Sequence, residues 1–287
     1  MKMNARTFMS ALIVTSLSSF FFATDGMAQY GTETFRLRQH QLSTHINSDE
    51  DIQAEVEFGQ SVAARVLGQI PLYNNDLLSN YVNLVGLALV QQGNRPEIDF
   101  HFAVLDADFI NAYSAPGGYV FITRGALFAM QDEAELAAVL AHEIGHITER
   151  HIVKEHNIRG RDTSALSTVS SIIGGAQDSA RVAARQAADK AIEMLFTTGP
   201  KHEDELAADE TALLLLASTG YDPLSLHRFL SRMSALGTDS QAASKVSHPP
   251  AAERLKHLEA LQRDNGLIHT HLAQGKERFQ NYVPIQR

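Results

Sequence analysis

The sequence predicts a mainly helical α+β domain built around one buried helix and a small sheet. Three observations predict it: two long stretches with apolar residues at helical spacing, one stretch that alternates as a half-buried strand does, and one helical run that is apolar on every side.

In chain order, residues 49–69 place Val56, Val62, Ala63, Val66 and Leu67 at helical spacing, and a second amphipathic helix is expected from about Asn75 to Gln91. Pro96 ends that pattern. Ile98, Phe100, Phe102 and Val104 then alternate, which predicts a strand over residues 98–105 with one buried face, and residues 119–123 read as its hairpin partner or near neighbour. Between them, Asn111-Ala112-Tyr113-Ser114-Ala115-Pro116-Gly117-Gly118 reads as irregular chain closing in a tight turn, because of its Pro and paired Gly. Asp132 with Glu135 three residues on is a capping-box signal, and the absence of Pro from Glu133 to about Lys154 predicts one continuous helix. Residues 136–141 are apolar on all sides, so its first half is expected to be buried. Small residues dominate 163–180, and the Ala-rich stretch 181–196 reads as a helix closed by Pro200. A further helix is expected from about His202 to Ser218, stopped by Gly220, and Asp222-Pro223 caps the next. After the loop His248-Pro249-Pro250, a last helix runs from Ala251 to about Leu261.

Lys2 and Arg6, the apolar run 8–23 and the small residues of Gly26-Met27-Ala28 read as an export signal. The expected organisation is a signal peptide over residues 1–28, an extension over 29–48, one domain over 49–262 with a lid or insert at 159–196, and a C-terminal tail over 263–287. No second long apolar run follows, so the mature chain is expected to be periplasmic and to have no membrane span. With no cysteine, disulfides and thiolate metal sites are excluded, and any metal must be held by His, Asp or Glu. The formal charge is −9; an acidic chain with scattered Lys and Arg lacks the basic patch that nucleic acid needs.

The motif His142-Glu143-Ile144-Gly145-His146 puts two imidazoles four residues apart on one helical face, where both can bind one metal. Glu143 lies beside them and can take a proton from a metal-activated water. In a chain with 13 His the pattern arises by chance in roughly three sequences in a hundred. Its place in a capped, apolar helix, where uncompensated imidazoles are costly to bury, favours the metal. Two histidines are one ligand short of a catalytic zinc site. The metzincin solution fails, because the positions it needs hold Glu149 and Ile152, and His151 is off the register. Glu205 is the better third ligand: it and Asp209 lie four apart on a face continued by Ala212 and Leu216, which points both carboxylates inward. Glu205 would then meet the metal, and Asp209 the remaining N–H of a ligand imidazole. Glu203, Asp204 and Glu210 lie off that face and read as solvated charges.

At this point the chain resembles the Ste24-type and HtpX-type gluzincin endopeptidases, and within them the soluble periplasmic, BepA-like branch. Four segments carry the resemblance: Asn111 through the Gly pair to Phe121, Val139 to His146, Glu205 to Asp209, and Ser247-His248-Pro249 through Arg254. It implies a zincin-like metallopeptidase domain with one Zn2+ per chain held by His142, His146 and Glu205, Glu143 as base and Asp209 in support. It also implies that residues 118–123 form an exposed edge strand beside the zinc, where Gly118, Tyr119, Val120 and Phe121 pair with an extended substrate. His248 is implied to hold the developing oxyanion or to occupy the open zinc position at rest, and Arg254 to orient His248 or the bound peptide. There are departures: His202 stands where the family often has an arginine, and too few residues follow Arg254 for the helical-repeat domain of the BepA-like branch, so partner binding through such repeats is expected to be absent.

The function expected is zinc-dependent hydrolysis of peptide bonds in unfolded or misassembled envelope proteins, with the outer-membrane assembly machinery as partner. Two rivals stand beside it. One is a chaperone-like assembly or quality-control factor with a latent metal site closed by His248; the other is a structural metal site, which predicts unfolding on chelation.

Overall fold

A computed structural model describes residues 49–93, 95–159, 176–236, 251–267 and 272–283. The expected signal peptide, the N-terminal extension, His248 and part of the expected lid lie outside the described residues.

Helices α1 (Asp49–Gln69) and α2 (Asp76–Val90) form where the apolar spacing predicts them, with Asn75 capping α2 by accepting from the Leu78 N–H at 3.1 Å. Three strands follow, β1 (His101–Leu105), β2 (Ala112–Ala115) and β3 (Tyr119–Thr123), in the order β1-β3-β2, with β1 parallel and β2 antiparallel to β3. This corrects two expectations. The stretch read as irregular contains β2, and only the residues after Ala115 turn, with Gly117 and Gly118 at φ 72° and 95°. Residues 119–123 are the central strand and not an edge, so both sides are already paired and a substrate backbone cannot add to Gly118, Tyr119, Val120 and Phe121. Among the described residues, the edges without a strand partner belong to β1 and β2. That of β1 is closed: the Asn83 side chain bonds both the N–H and the C=O of Phe102, at 3.3 and 2.9 Å, and the Tyr73 N–H donates to the Val104 C=O at 2.8 Å.

The remaining helices are α3 (Arg124–Ala129), α4 (Glu133–Thr148), α5 (His151–Glu155), α6 (Ala176–Glu193) running into a π turn (Met194–Thr198), α7 (His202–Thr219), α8 (Ser225–Ala235), α9 (Ala251–Asp264) and α10 (Lys276–Tyr282). The start of α4 is capped as expected: Asp132 accepts from the Glu135 N–H and Glu135 from the Gln131 N–H, each at 2.9 Å. It is buried along its whole length and not only in its first half, because α2, α7, α8, α10 and β2 surround it. Nor does it continue to residue 154: the chain breaks at Arg150, φ 58°, and restarts as α5. Period-two alternation splits the sheet between two cores, Val120 and Ile122 facing α2 and α4, and Phe121 facing Phe58, Val62 and Val66 of α1. Residues 272–283, expected to be tail, return to the domain, with Phe279 and Val283 in the core and Arg278 paired to Glu133 at the start of α4. The result is the mainly helical, zincin-like α+β arrangement that the sequence predicts. No helix among the described residues is long and apolar enough to cross a membrane.

Candidate metal centre

Helices α4 and α7 pack along each other, and Gly145 sets how closely: a Cβ there would meet the Ala208 carbonyl oxygen at 3.0 Å and its Cα at 3.1 Å. At that spacing the four-residue periods of the two helices bring His142 and His146 against Glu205 and Asp209. His142 Nε2 and His146 Nε2 lie 3.1 Å apart, and Glu205 reaches them at 3.5 Å (Oε2) and 3.3 Å (Oε1). All three side chains are buried, and one ligand atom from each lies within 4.8 Å of the others. Both Nδ1 atoms are engaged elsewhere, His142 with Asp209 Oδ1 at 2.9 Å and His146 with His151 Nδ1 at 2.8 Å. With the protons on Nδ1, two Nε2 lone pairs and a carboxylate face one point, an arrangement that repels itself unless a cation lies at that point. Two imidazoles and one carboxylate form a donor set that fits a divalent metal.

The electrostatics around the three groups favour the same charge. Asp209 is fully buried and clamped by Arg254, with Nε to Oδ2 at 2.9 Å and Nη2 to Oδ1 at 2.6 Å. Burial pushes the Asp209 carboxyl up, but the Arg254 charge and the hydrogen bonds more than offset it and hold it at about 2. Burial lowers Arg254, while Asp209 and Glu205 raise it above the ordinary arginine value. For His142, burial and the Arg254 charge act downward, and the contacts with Asp209 and Glu205 overcome them to raise it to about 9, so the cage favours a positive charge. Arg254, read in the sequence as orienting His248 or a peptide, lies inside the cage, its Nη1 3.1 Å from Glu205 Oε2, while His248 is outside the described residues.

Sequence reasoning missed one member of the site. His151 is buried, with Nε2 3.5 Å from Asp204 Oδ1, and burial followed by the neighbouring His146 lowers it to about 2, which keeps it neutral. Asp204, read as solvated, is therefore turned partly inward, whereas His202 forms a surface pair with Glu253 at 3.2 Å. In a continuous helix a residue five positions after His146 points well away from it, and the break at Arg150 brings His151 back.

Glu143 and His146 line a narrow cleft together with Ala112, Tyr113 and Ser114 of β2, His151 of α5, and Met194 and Leu195 of the π turn. The Thr123 N–H donates to the Asn111 C=O at 3.0 Å, and the alternation of an antiparallel ladder then turns the main-chain groups of Ala112 and Ser114 away from β3. An edge strand does lie beside the cluster, but it is β2. Tyr113 also lines the cleft, its ring 4.7 Å from that of Phe196, and burial, the largest influence on its phenol, pushes it up to about 12.

Residues 76–262, most of the described domain, match the model for Peptidase family M48. The chain belongs to that family. It is 29% identical over 222 residues to the beta-barrel assembly-enhancing protease of Escherichia coli (strain K12), a match covering 75% of this chain and 45% of that protein. With the protein of the same name from Yersinia pestis it shares 31% over 265 residues, 85% of this chain and 52% of the other. The mitochondrial metalloendopeptidase OMA1 of Arabidopsis thaliana is 27% identical over 162 residues, 56% of this chain and 31% of that one. The chain thus spans about half the length of the beta-barrel assembly-enhancing proteases it matches.

Of the residues singled out in the sequence of this M48 chain, His142, Glu143, His146, Glu205, Asp209 and Arg254 lie in or against one buried cluster. Val120 and Phe121 are in the cores, and Gly118 is held in its turn, where a Cβ would come 2.3 Å from the Asp99 carbonyl oxygen.

Proposed function

We propose that this M48 chain is a zinc-dependent endopeptidase that cuts extended segments of unfolded or misassembled envelope proteins. The observation that carries it is the convergence of His142 Nε2, His146 Nε2 and Glu205 on one point, with Glu143 and the outward edge of β2 in the adjoining cleft. When bound there, zinc lowers the pKa of a water and polarises a carbonyl. Glu143 accepts the proton of the attacking water and passes it to the leaving amine nitrogen. The outward main-chain groups of Ala112 and Ser114 pair with the substrate backbone, which selects extended chain over any particular sequence. Asp209, fixed by Arg254, orients His142, and His248, three residues before the first residue of α9 in sequence and outside the described residues, is assigned to the developing oxyanion. The relatives named for enhancing beta-barrel assembly, together with the export signal read in residues 1–28, support a periplasmic location and clients of outer-membrane assembly.

Cleavage of casein tests this. Wild type should cut, a chelator should stop it, added Zn2+ should restore it, and Glu143→Gln should keep the metal and lose rate by roughly 10²–10⁴-fold. A Glu143→Gln protein that cuts at the wild-type rate sinks the reading. A client-binding role is favoured by one observation, the cover that Met194, Leu195 and Phe196 place over β2, and it predicts instead that Glu143→Gln keeps the biological activity.

A further inference from the structure

The two imidazoles that face the metal point are supported by different means. His142 meets a carboxylate directly, Asp209 Oδ1 at 2.9 Å from its Nδ1. His146 meets a second imidazole, and the two Nδ1 atoms are 2.8 Å apart with their rings nearly perpendicular, at 74°. A contact of that length between two ring nitrogens needs one proton, shared as donor to acceptor. If Nε2 of His146 faces the metal, its proton is on Nδ1, so Nδ1 of His151 is the acceptor. His151 then carries its own proton on Nε2, the atom that faces Asp204 Oδ1 at 3.5 Å.

We propose that His151 is a positioning residue for His146, the middle of a chain that runs from the Asp204 carboxylate through two imidazoles to the metal-facing Nε2. The inference rests on the metal reading above and adds to it a residue that neither ligates nor reacts. It also gives the break after α4 a purpose. Arg150 takes a left-handed conformation, φ 58°, and its Nε is held by Glu55 Oε2 at 3.0 Å. Arg95 ties the same oxygen, at 3.1 Å, to the C=O of Ile147 in the last turn of α4, also at 3.1 Å. Glu55 and Arg95 are buried, so this ion group fixes the angle at which His151 returns to His146.

The test measures Zn2+ affinity of the metal-depleted full chain by competition with a chromophoric chelator. His151→Leu should bind Zn2+ roughly 10–100-fold more weakly than wild type, as loss of an outer hydrogen-bond partner does at other metal sites. His151→Asn, whose amide oxygen falls where Nδ1 was, should recover most of the loss, and His151→Gln, whose amide falls nearer the Nε2 position, should not. A scalar coupling between the two Nδ1 nuclei in the 15N spectrum of the Zn2+-loaded wild type should report the shared proton without any substitution. Wild-type affinity in His151→Leu overturns the proposal, and so does a His151 that carries its proton on Nδ1, whether or not the variants fold. Failure of wild type itself to bind Zn2+ overturns the metal reading, and the proposal with it; wild-type binding that is lost in His142→Ala while His151→Leu is unaffected removes the proposal alone.

Discussion

The helical wall of the cleft holds its groups by buried charge, whereas the strand wall holds its groups by main-chain hydrogen bonds and apolar cover. On the first, His142, Glu205, Asp209 and Arg254 are each buried against an opposite or hydrogen-bonding partner, so removing one strands another. On the second, Ala112 and Ser114 offer backbone to the cleft while the Tyr113 ring, which also lines it, packs against Phe196. A substitution on the helical wall should therefore cost stability and metal together, and one on the strand wall should cost substrate alone.

The largest effect expected is from Arg254→Leu. It leaves Asp209, fully buried, without the guanidinium that clamps it, and it removes the contact to Glu205. Breaking a buried pair in this way costs about 3–5 kcal/mol. Urea unfolding of the metal-free chain measures it, and the double variant with Asp209→Asn should lose less than Arg254→Leu alone. A cost under about 1 kcal/mol, the scale of an exposed pair, would erase the difference between the walls.

Gly145→Ala comes next. The added Cβ meets the backbone of Ala208 at 3.0–3.1 Å and the Thr211 Cβ at 3.3 Å, so α4 and α7 must separate by a few tenths of an ångström. Overpacking of this kind costs about 1–3 kcal/mol, and the separation widens the spacing between the two histidines and Glu205. A fall in both the unfolding midpoint and Zn2+ affinity is expected; a gain in stability, from a better helix former at that position, would show that the helices are not in tight contact there.

The helical wall was legible in the sequence and the strand wall was not, for reasons that lie in periodicity. His142 and His146, like Glu205 and Asp209, are four apart, and a helix converts that spacing into a shared face without reference to the rest of the chain. Strand order has no such local signature. Only the ladder shows that Tyr119–Thr123 lies between β1 and β2, and the four-residue β2, with two alanines and a serine ahead of Pro116, has the composition of a turn. His151 escapes for a related reason: no Gly or Pro marks the break at Arg150, which depends on Glu55, distant in sequence, and the one continuous helix that the sequence predicts would turn His151 away from His146. The seven residues of α10 are too few to carry a periodic signal and were read as tail.

On the strand wall, Ser114→Pro removes one outward main-chain N–H without touching a ladder bond to β3, since the register turns that group away from the sheet. Stability and Zn2+ affinity should change little. The kcat/KM for an unfolded protein should drop roughly fivefold, the worth of one hydrogen bond of about 1 kcal/mol. A drop in Zn2+ affinity as large as that of Gly145→Ala would mean that the walls are coupled.

The smallest effect belongs to neither wall and calibrates both. Glu133, at the end of α4 remote from His146, is buried, which pushes its carboxyl up, but hydrogen bonds from Arg278, Tyr221 and Tyr81 bring it below the ordinary glutamate value. Because the folded state binds this proton less readily than the unfolded chain, the contribution is present above the unfolded value of 4.5 and is lost as pH falls below it. Arg278 is 61% exposed, so water screens that pair and the effect should stay at about 1 kcal/mol or less. The melting temperature of wild type should therefore slope downward between about pH 5 and pH 3 more steeply than that of Glu133→Gln. Zn2+ affinity at neutral pH should be the same in both, since Arg254 and Asp209, not Glu133, set the charge around His142. If Glu133→Gln weakened Zn2+ binding, the metal cage would depend on the whole length of α4 and not on the packing of its last two turns against α7.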